Sequence, residues 1–315
     1  MSQADAPLIA LTGATGFLGR HLLRLLAGQG WQVRLLVRSM PLHEQFCGLR
    51  PELVPGDLDD EHALARLCRG ADAIVHMAGA IKGDAPTLMR INAQGTRHML
   101  DIWGQHAPGA RFVCVSSLTA REPHLSAYGA SKRAAEDAVM ACDGDWLIVR
   151  PAAIYGPWDT ETLSIFKAAR WPVQPMLNGA HARLALIHVQ DAARALGVLA
   201  QNGPAQQVFE LGDAAQNGYG WPEIIAAACR AAGRKERLFR LPAALVKSAA
   251  TLNARIARAR GKVSIFDPGK AREILHPDWT VQSAKRIPKA LWTPQVDIDQ
   301  GFASTVRWYR QRGWL

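Results

Sequence analysis

The stretch Thr12-Gly13-Ala14-Thr15-Gly16-Phe17-Leu18-Gly19 constrains this chain more than any other. Its three glycines sit between an apolar run, residues 8–11, and a helical pattern through Leu22, Leu25 and Leu26. A strand that turns sharply into a helix presents the helix's unpaired amides, and a phosphate reaches them only where no Cβ intervenes. Gly13 then makes the tight turn, Gly16 admits a pyrophosphate and Gly19 lets the helix lie close to the sheet. Thr15, Phe17 and Leu18 belong to the same cofactor-binding turn. A glycine trio alone also occurs in ordinary tight turns. The strand before it and the helix after it are what favour a dinucleotide.

Short apolar runs alternate with helical stretches downstream. Residues 33–37, 52–54, 73–76, 111–115 and 146–149 read as strands, with helices around 63–68 and 90–105 and another beginning near Tyr128. This alternation predicts parallel βαβ units and an α/β, Rossmann-type doubly wound parallel sheet. Past Arg150-Pro151 the pattern loosens. The expected organisation is a dinucleotide-binding domain over residues 1–150 and a smaller C-terminal substrate lobe over 151–315, partly interleaved with the sheet.

Hydrophobic residues at 49% and charged residues at 20% are globular proportions. No apolar stretch approaches the length of a membrane span, and the N-terminus shows no signal-peptide pattern. A cytoplasmic location is therefore expected. Five scattered cysteines read as buried thiols in a reducing compartment, and no His/Asp/Glu cluster has metal spacing, so no metal is expected.

The net charge of +10 is localised: residues 230–289 hold 15 Lys/Arg against 4 Asp/Glu. Within them, residues 241–262 read as a basic amphipathic helix. Leu245, Ala249, Leu252, Ile256 and Ala259 form one stripe, with Arg255, Arg258 and Lys262 on another face. Such a helix fits peripheral contact with an anionic inner membrane, and equally a lobe helix with a solvated basic side. Nucleic acid is not expected as a partner, since no binding module is present. A homodimer is left open.

Ser116-Ser117 ends the strand at 111–115, and Tyr128-Gly-Ala-Ser-Lys132 follows. Tyr128 and Lys132 at i and i+4 share a helical face, so the ammonium is expected beneath the phenol, lowering its pKa. Ser117 can then polarise the same substrate oxygen. Taken alone, this spacing also describes a surface tyrosine beside a solvated lysine. Arg38 stands near the end of the second strand, where an acid would bind the adenosine ribose, so NADP(H) is favoured, with NAD(H) as the alternative. An ordinary strand-end arginine is the rival reading. Asp57, before Leu58, reads as an adenine contact or a helix cap. His76 is expected near the pyrophosphate, and His188 as a structural residue. The tryptophans of the second half either pack the lobe or line a large apolar pocket.

Taken in order, these motifs resemble the short-chain dehydrogenase/reductase superfamily, in its extended or atypical branch, the NAD-dependent epimerase/dehydratase family. The resemblance adds His76-Met-Ala-Gly-Ala80, Asn92-Ala-Gln-Gly-Thr96, Arg150-Pro-Ala-Ala-Ile-Tyr-Gly-Pro157 and Leu186-Ile-His-Val-Gln-Asp-Ala192. It implies a Tyr128 acid/base, a Lys132 that also holds the nicotinamide ribose, a Ser117 that orients substrate and an Asn92 supporting the helix and proton relay. Leu58 and Ala78 join the cofactor site. The short spacing from Ser117 to Tyr128 departs from nucleotide-sugar epimerases, as does Arg38.

The expected function is an NADP(H)-dependent reductase or dehydrogenase acting on a fairly apolar carbonyl/alcohol pair, such as a lipid ketone of the 3-oxo sphingolipid kind. The alternatives are a nucleotide-sugar epimerase/dehydratase with bound NAD and a non-catalytic dinucleotide-binding accessory subunit. Ser117, Tyr128 and Lys132 together argue against the last.

Overall fold

The computed structural model describes residues 6–39, 50–176, 182–260, 264 and 266–315. Cys47, Lys262 and the side chain of Arg258 lie outside the described residues. β1 (Leu8–Thr12) passes through the glycine turn into α1 (Phe17–Gly28), then β2 (Gln32–Val37), β3 (Glu52–Pro55), α2 (Glu61–Cys68) and β4 (Ala73–His76). α3 (Ala85–Leu88) continues through a π-helical turn, Met89–Gln94, into α4 (Gly95–His106) and β5 (Arg111–Val115). A 3-10 turn at Leu118–Arg121 precedes α5 (Ala127–Met140), β6 (Trp146–Pro151), β7 (Ala153–Tyr155) and α6 (Leu163–Ala168). Next come β8 (Gln174–Met176), β9 (Arg183–Leu184), β10 (Leu186–His188), α7 (Val189–Gln201), β11 (Gln207–Leu211) and β12 (Tyr219–Gly220). The chain ends with α8 (Trp221–Ala232), β13 (Leu238–Arg240), α9 (Ala243–Ala259), α10 (Pro268–Leu275), β14 (Asp278–Trp279) and α11 (Ile298–Gln311).

Seven parallel strands in the order β11-β6-β5-β4-β1-β2-β3 form the central sheet. The side-chain period of two divides its apolar runs between two cores. Ile9, Leu11, Val113 and Val115 face one core with α1 and α7, while Ala10, Phe112 and Cys114 face the other with α2 and α4. The strand order reverses between β1 and β4, and the crevice at their carboxyl ends is where a doubly wound sheet receives a ligand. Residues beyond 150 return to the sheet as α7, packed on α1, and as β11 on the edge beside β6. α6, α8 and α11 build a separate core around Phe166, Ile225, Phe302 and Tyr309.

Several sequence expectations change here. The helix expected over 90–105 is present and continuous, but its first stretch, Met89–Gln94, is π-helical rather than α. His76 lines neither cavity: it is buried behind the glycine turn, its ring nitrogens bonding the hydroxyls of Thr12 (2.8 Å) and Thr96 (3.1 Å). Burial pushes its pKa down to about 3, so it is neutral and ties β1 and β4 to α4. His188 caps α7, its Nδ1 accepting from the Gln190 amide. Trp308 packs at a tilt on Trp158 and edge-on to Trp314, Trp221 joins the same lobe core, and Trp279 and Trp292 pack elsewhere in the interior. Trp171 is exposed.

In α9 the side chains that turn inward are Val246 and Ala250, against Ala271 of α10. Leu245, Leu252 and Ile256, the stripe read from the sequence, face outward. None of the helices in the described residues is long and apolar enough to cross a membrane.

One buried charge cluster joins the layers. Arg150 of β6 makes two hydrogen bonds to Glu136 of α5, at 2.9 and 2.7 Å, and approaches Glu210 of β11 at 3.5 Å. Arg121 reaches the other oxygen of Glu210 at 3.5 Å and donates to the carbonyls of Thr280 and Asp278. Both glutamate side chains are wholly buried. Removing one partner of such a pair strands the other charge. Glu136→Ala is therefore expected to cost about 3–5 kcal/mol of stability, read from urea unfolding, whereas Asp137→Ala on the exposed side of the same helix should cost under about 0.5 kcal/mol.

Candidate active site

Two adjoining cavities lie at the carboxyl ends of the strands and share Met77, Gly79, Ala80 and Ile81 as a common wall. The larger, about 530 Å³, is lined by Gly13, Thr15, Gly16, Arg38, Asp57, Leu58 and Ala78. The smaller, about 230 Å³, is lined by Asn92, Ser116, Ser117, Tyr128 and Lys132 together with apolar Val115, Pro151, Ala152 and Ile154.

The first cavity has the shape and donor set a dinucleotide requires. Gly13 holds φ at +71°, and a Cβ there would stand 2.7 Å from the Ala78 nitrogen. Gly16 is the N-cap of α1, and no side chain caps that end. The first-turn amides of Phe17, Leu18 and Gly19 are thus left for an anion. None of these three residues lines the cavity itself. Phe17 packs edge-on to His21, Leu18 rests on the core, and a Cβ on Gly19 would lie 2.3 Å from the Gly13 carbonyl oxygen. Asp57 is not the cap of α2; Asp60 is, accepting from the Ala63 amide at 2.9 Å. Asp57 accepts instead from the Asp59 amide and stays exposed at the cavity wall. Lys82 and Arg90, which sequence reasoning passed over, also line it, paired with Glu161 and Asp59. Nothing in their local sequence marks them, because the chain fold alone carries them there.

The second cavity is assembled by close backbone approach. Ser126 caps α5, accepting from the Gly129 amide at 2.9 Å. A Cβ on Gly129 would be 2.8 Å from the Thr119 carbonyl oxygen. This glycine lets the first turn of α5 press on the 3-10 turn that follows Ser117, bringing Tyr128 to Ser117. Ser117 Oγ accepts from the Thr119 amide (3.2 Å) and hydroxyl (2.9 Å), which leaves its own proton to donate into the cavity. The Ser116 hydroxyl, buried and without a protein partner, lines the same space.

The spacing suggested Lys132 beneath the Tyr128 phenol, and the structure gives it a backbone partner in the same cavity. Its ammonium donates to the Val115 carbonyl at 2.7 Å. Burial lowers its pKa, with Cys114 and Glu136 acting in the opposite direction. The Tyr128 phenol is pushed up to about 12 by burial, hydrogen bonding with Ser117 pulls it back, and Glu273 raises it further. Tyr128 therefore carries its proton at neutral pH.

Asn92 has its amide fully engaged. Nδ2 donates to the Ala80 carbonyl (2.9 Å) and to Ser131 Oγ (2.9 Å), while Oδ1 accepts from the Ala80 amide (2.7 Å). It is a positioning residue that clamps the shared wall to α5. Glu273 of α10 was not visible as a site residue in the sequence; it accepts from the Ser126 hydroxyl and from Lys270.

The family model for the NAD dependent epimerase/dehydratase family matches residues 9–212. A ceramide reductase of Caulobacter vibrioides is 49% identical over 313 residues, covering 98% of this chain and 96% of that protein. A 4-hydroxy-2-methyl-3-oxo-4-farnesyl-3,4-dihydroquinoline-1-oxide ketoreductase of Stigmatella aurantiaca is 29% identical, covering 65% of this chain and 68% of that protein. Among solved structures, a dTDP-glucose 4,6-dehydratase from Streptomyces venezuelae with NAD bound superposes with a TM-score of 0.72, at 23% identity and covering 98% of each chain. The chain belongs to the NAD-dependent epimerase/dehydratase family and is an NAD(P)-dependent oxidoreductase of the extended short-chain dehydrogenase/reductase type.

Gly16 separates cofactor binding from packing. Its φ of −74° is ordinary, and a Cβ would meet only the Gly13 carbonyl oxygen, at 3.1 Å. Gly16→Val is expected to leave the melting temperature within a few degrees while weakening NAD(P)H binding by about tenfold or more, followed by cofactor fluorescence.

Proposed function

We propose that this protein is an NADP(H)-dependent reductase that converts a lipid-like ketone to its alcohol, with ketones of the ceramide type as the leading substrates. The observation that carries the reading is the small cavity, where Ser117 and Tyr128 meet walls of Val115, Pro151, Ala152 and Ile154. A carbonyl held there has two donors at its oxygen and apolar surface around its chain. The 49% identity to a ceramide reductase supports the same substrate class.

When bound, NADPH supplies the hydride that reaches the carbonyl carbon. Tyr128 transfers its proton to the carbonyl oxygen, and the Ser117 hydroxyl holds that oxygen by a hydrogen bond as negative charge builds on it. Lys132, anchored on Val115, keeps its remaining N–H donors for the nicotinamide ribose. Asn92 and Ser131 hold α5 against the shared wall, fixing the direction of the phenol.

The test is turnover of purified protein with NADPH and a long-chain 3-oxo-ceramide, followed by NADPH absorbance and product mass. Alcohol formation matched by NADPH loss is expected. Tyr128→Phe should lower kcat by about a hundredfold or more with NADPH binding kept. Conversion of a nucleotide sugar without net cofactor loss, and no turnover of any lipid ketone, would overturn the reading.

Preference for NADP(H) is proposed from Arg38, exposed on the cavity wall beside Leu36. A guanidinium there pairs with a 2′-phosphate. Arg38→Ala is expected to weaken NADPH binding by about tenfold while changing NADH binding less than about twofold, compared by titration of both.

A further inference from the structure

We propose that the outer face of α9 and the adjoining β8–β13 ribbon docks this protein on an anionic lipid bilayer. The ribbon pairs Leu238–Arg240 with Gln174–Met176 and runs into α9 through Leu241, whose amide donates to the Met176 carbonyl. Among the described residues, seven of the ten exposed large apolar side chains belong to this segment or are Trp171 and Val173, close before β8. That concentration is not what scattered surface hydrophobics give, and patches of this kind mark interaction sites.

The helix explains the arrangement. At about 100° per residue, Leu245, Leu252 and Ile256 fall within about 40° of one another. Val246 and Ala250, roughly a quarter-turn or more away, are the pair buried against α10. The helix thus has two apolar faces, and only the inner one is covered. Leu245, Leu252 and Ile256 are 56%, 60% and 42% exposed. Trp171, three residues before β8, and Phe239, in the ribbon, are also exposed, both residue types of lipid-facing surfaces at the membrane interface.

Charge selects the occupant. Residues 230–262 contain ten Lys/Arg and a single acid, Glu236, and α9 has no acidic residue at all. Lys247 and Arg255 are exposed on the helix itself, and Arg237 and Arg240 at the ribbon. An apolar stripe with Arg255 roughly 80° to one side, arginines at the adjoining ribbon and no carboxylate on the helix complements an anionic bilayer, and like charge disfavours a second copy of the same face. The inner face of α9 packs on α10, whose Glu273 accepts from Ser126, the cap of the helix that carries Tyr128. The docking face is thereby one helix removed from the catalytic helix. The proposal does not depend on which ketone is reduced.

The test is flotation of the full chain with vesicles of phosphatidylcholine alone, or with about 30 mol % phosphatidylglycerol. Wild type is expected to float with the anionic vesicles, not with the neutral ones, and to be released by high salt. Leu252→Glu combined with Ile256→Glu should reduce the bound fraction by about tenfold or more, and Arg255→Ala by about fivefold. These variants should keep the wild-type melting temperature and NADPH affinity, since the side chains are exposed and outside both cavities. Equal binding of wild type and the double glutamate variant, or no binding to anionic vesicles, would overturn the proposal. So would a wild-type dimer in sedimentation velocity that the same variant converts to monomer without any vesicle binding, because a second copy would then cover the face.

Discussion

Arg150 holds this molecule together at the point where its parts would otherwise separate. A guanidinium at the end of β6 is shared between a glutamate on the helix that carries Tyr128 and a glutamate on β11, a strand contributed by the second half of the chain. Neither carboxylate reaches water. Arg121 closes the cluster from the turn that follows Ser117 and extends it to the backbone around Thr280. Three segments, those of Ser117, Tyr128 and the sheet edge, are therefore bound to one set of charges. Buried ion pairs contribute little net stability, but their geometry is demanding. Here that demand falls on the segments that hold the site.

The two cavities divide the labour of the fold. Backbone makes the larger one: glycines, open amides and a left-handed turn, with side chains at its far end. Side chains make the smaller one, and almost all of them are pinned by other protein groups. Ser117 is held by Thr119, Lys132 by Val115 and Asn92 by Ala80 and Ser131. In the proposed reaction the Tyr128 phenol is the centre this scaffolding serves, and Met77, Gly79, Ala80 and Ile81, common to both cavities, join the two halves of the site.

The parallel sheet was legible because buried strands are continuous apolar runs, and the expected strands fall within one or two residues of those observed. β11 escaped notice because Gln207-Val-Phe-Glu-Leu211 carries a charge in its middle, which is tolerated only because Arg150 and Arg121 meet Glu210. The glycine turn, Ser117, Tyr128 and Lys132 were legible as spacing. What Lys132 touches was not, since helical spacing sets which face a long side chain leaves from and not where its end goes. In α9 the more hydrophobic stripe suggested the core side, yet the smaller Val246 and Ala250 allow closer helix contact and took that place. Glu273, Lys82 and Arg90 come to the site from segments whose approach is a matter of tertiary structure alone.

The π-turn at Met89–Gln94 places Asn92 one residue out of step with the helix that precedes it, since the amide of Gly95 bonds back five residues to Arg90. Deleting a single residue there would restore regular α-helical bonding and improve the helix as a helix. It would also swing everything on one side of the deletion by about 100° relative to the other, removing Asn92 from Ala80 and Ser131. The segment is held in the poorer helical form by the clamp that Asn92 makes. Shortened by one residue, this helix would be more regular, and the wall between the two cavities would lose its anchor.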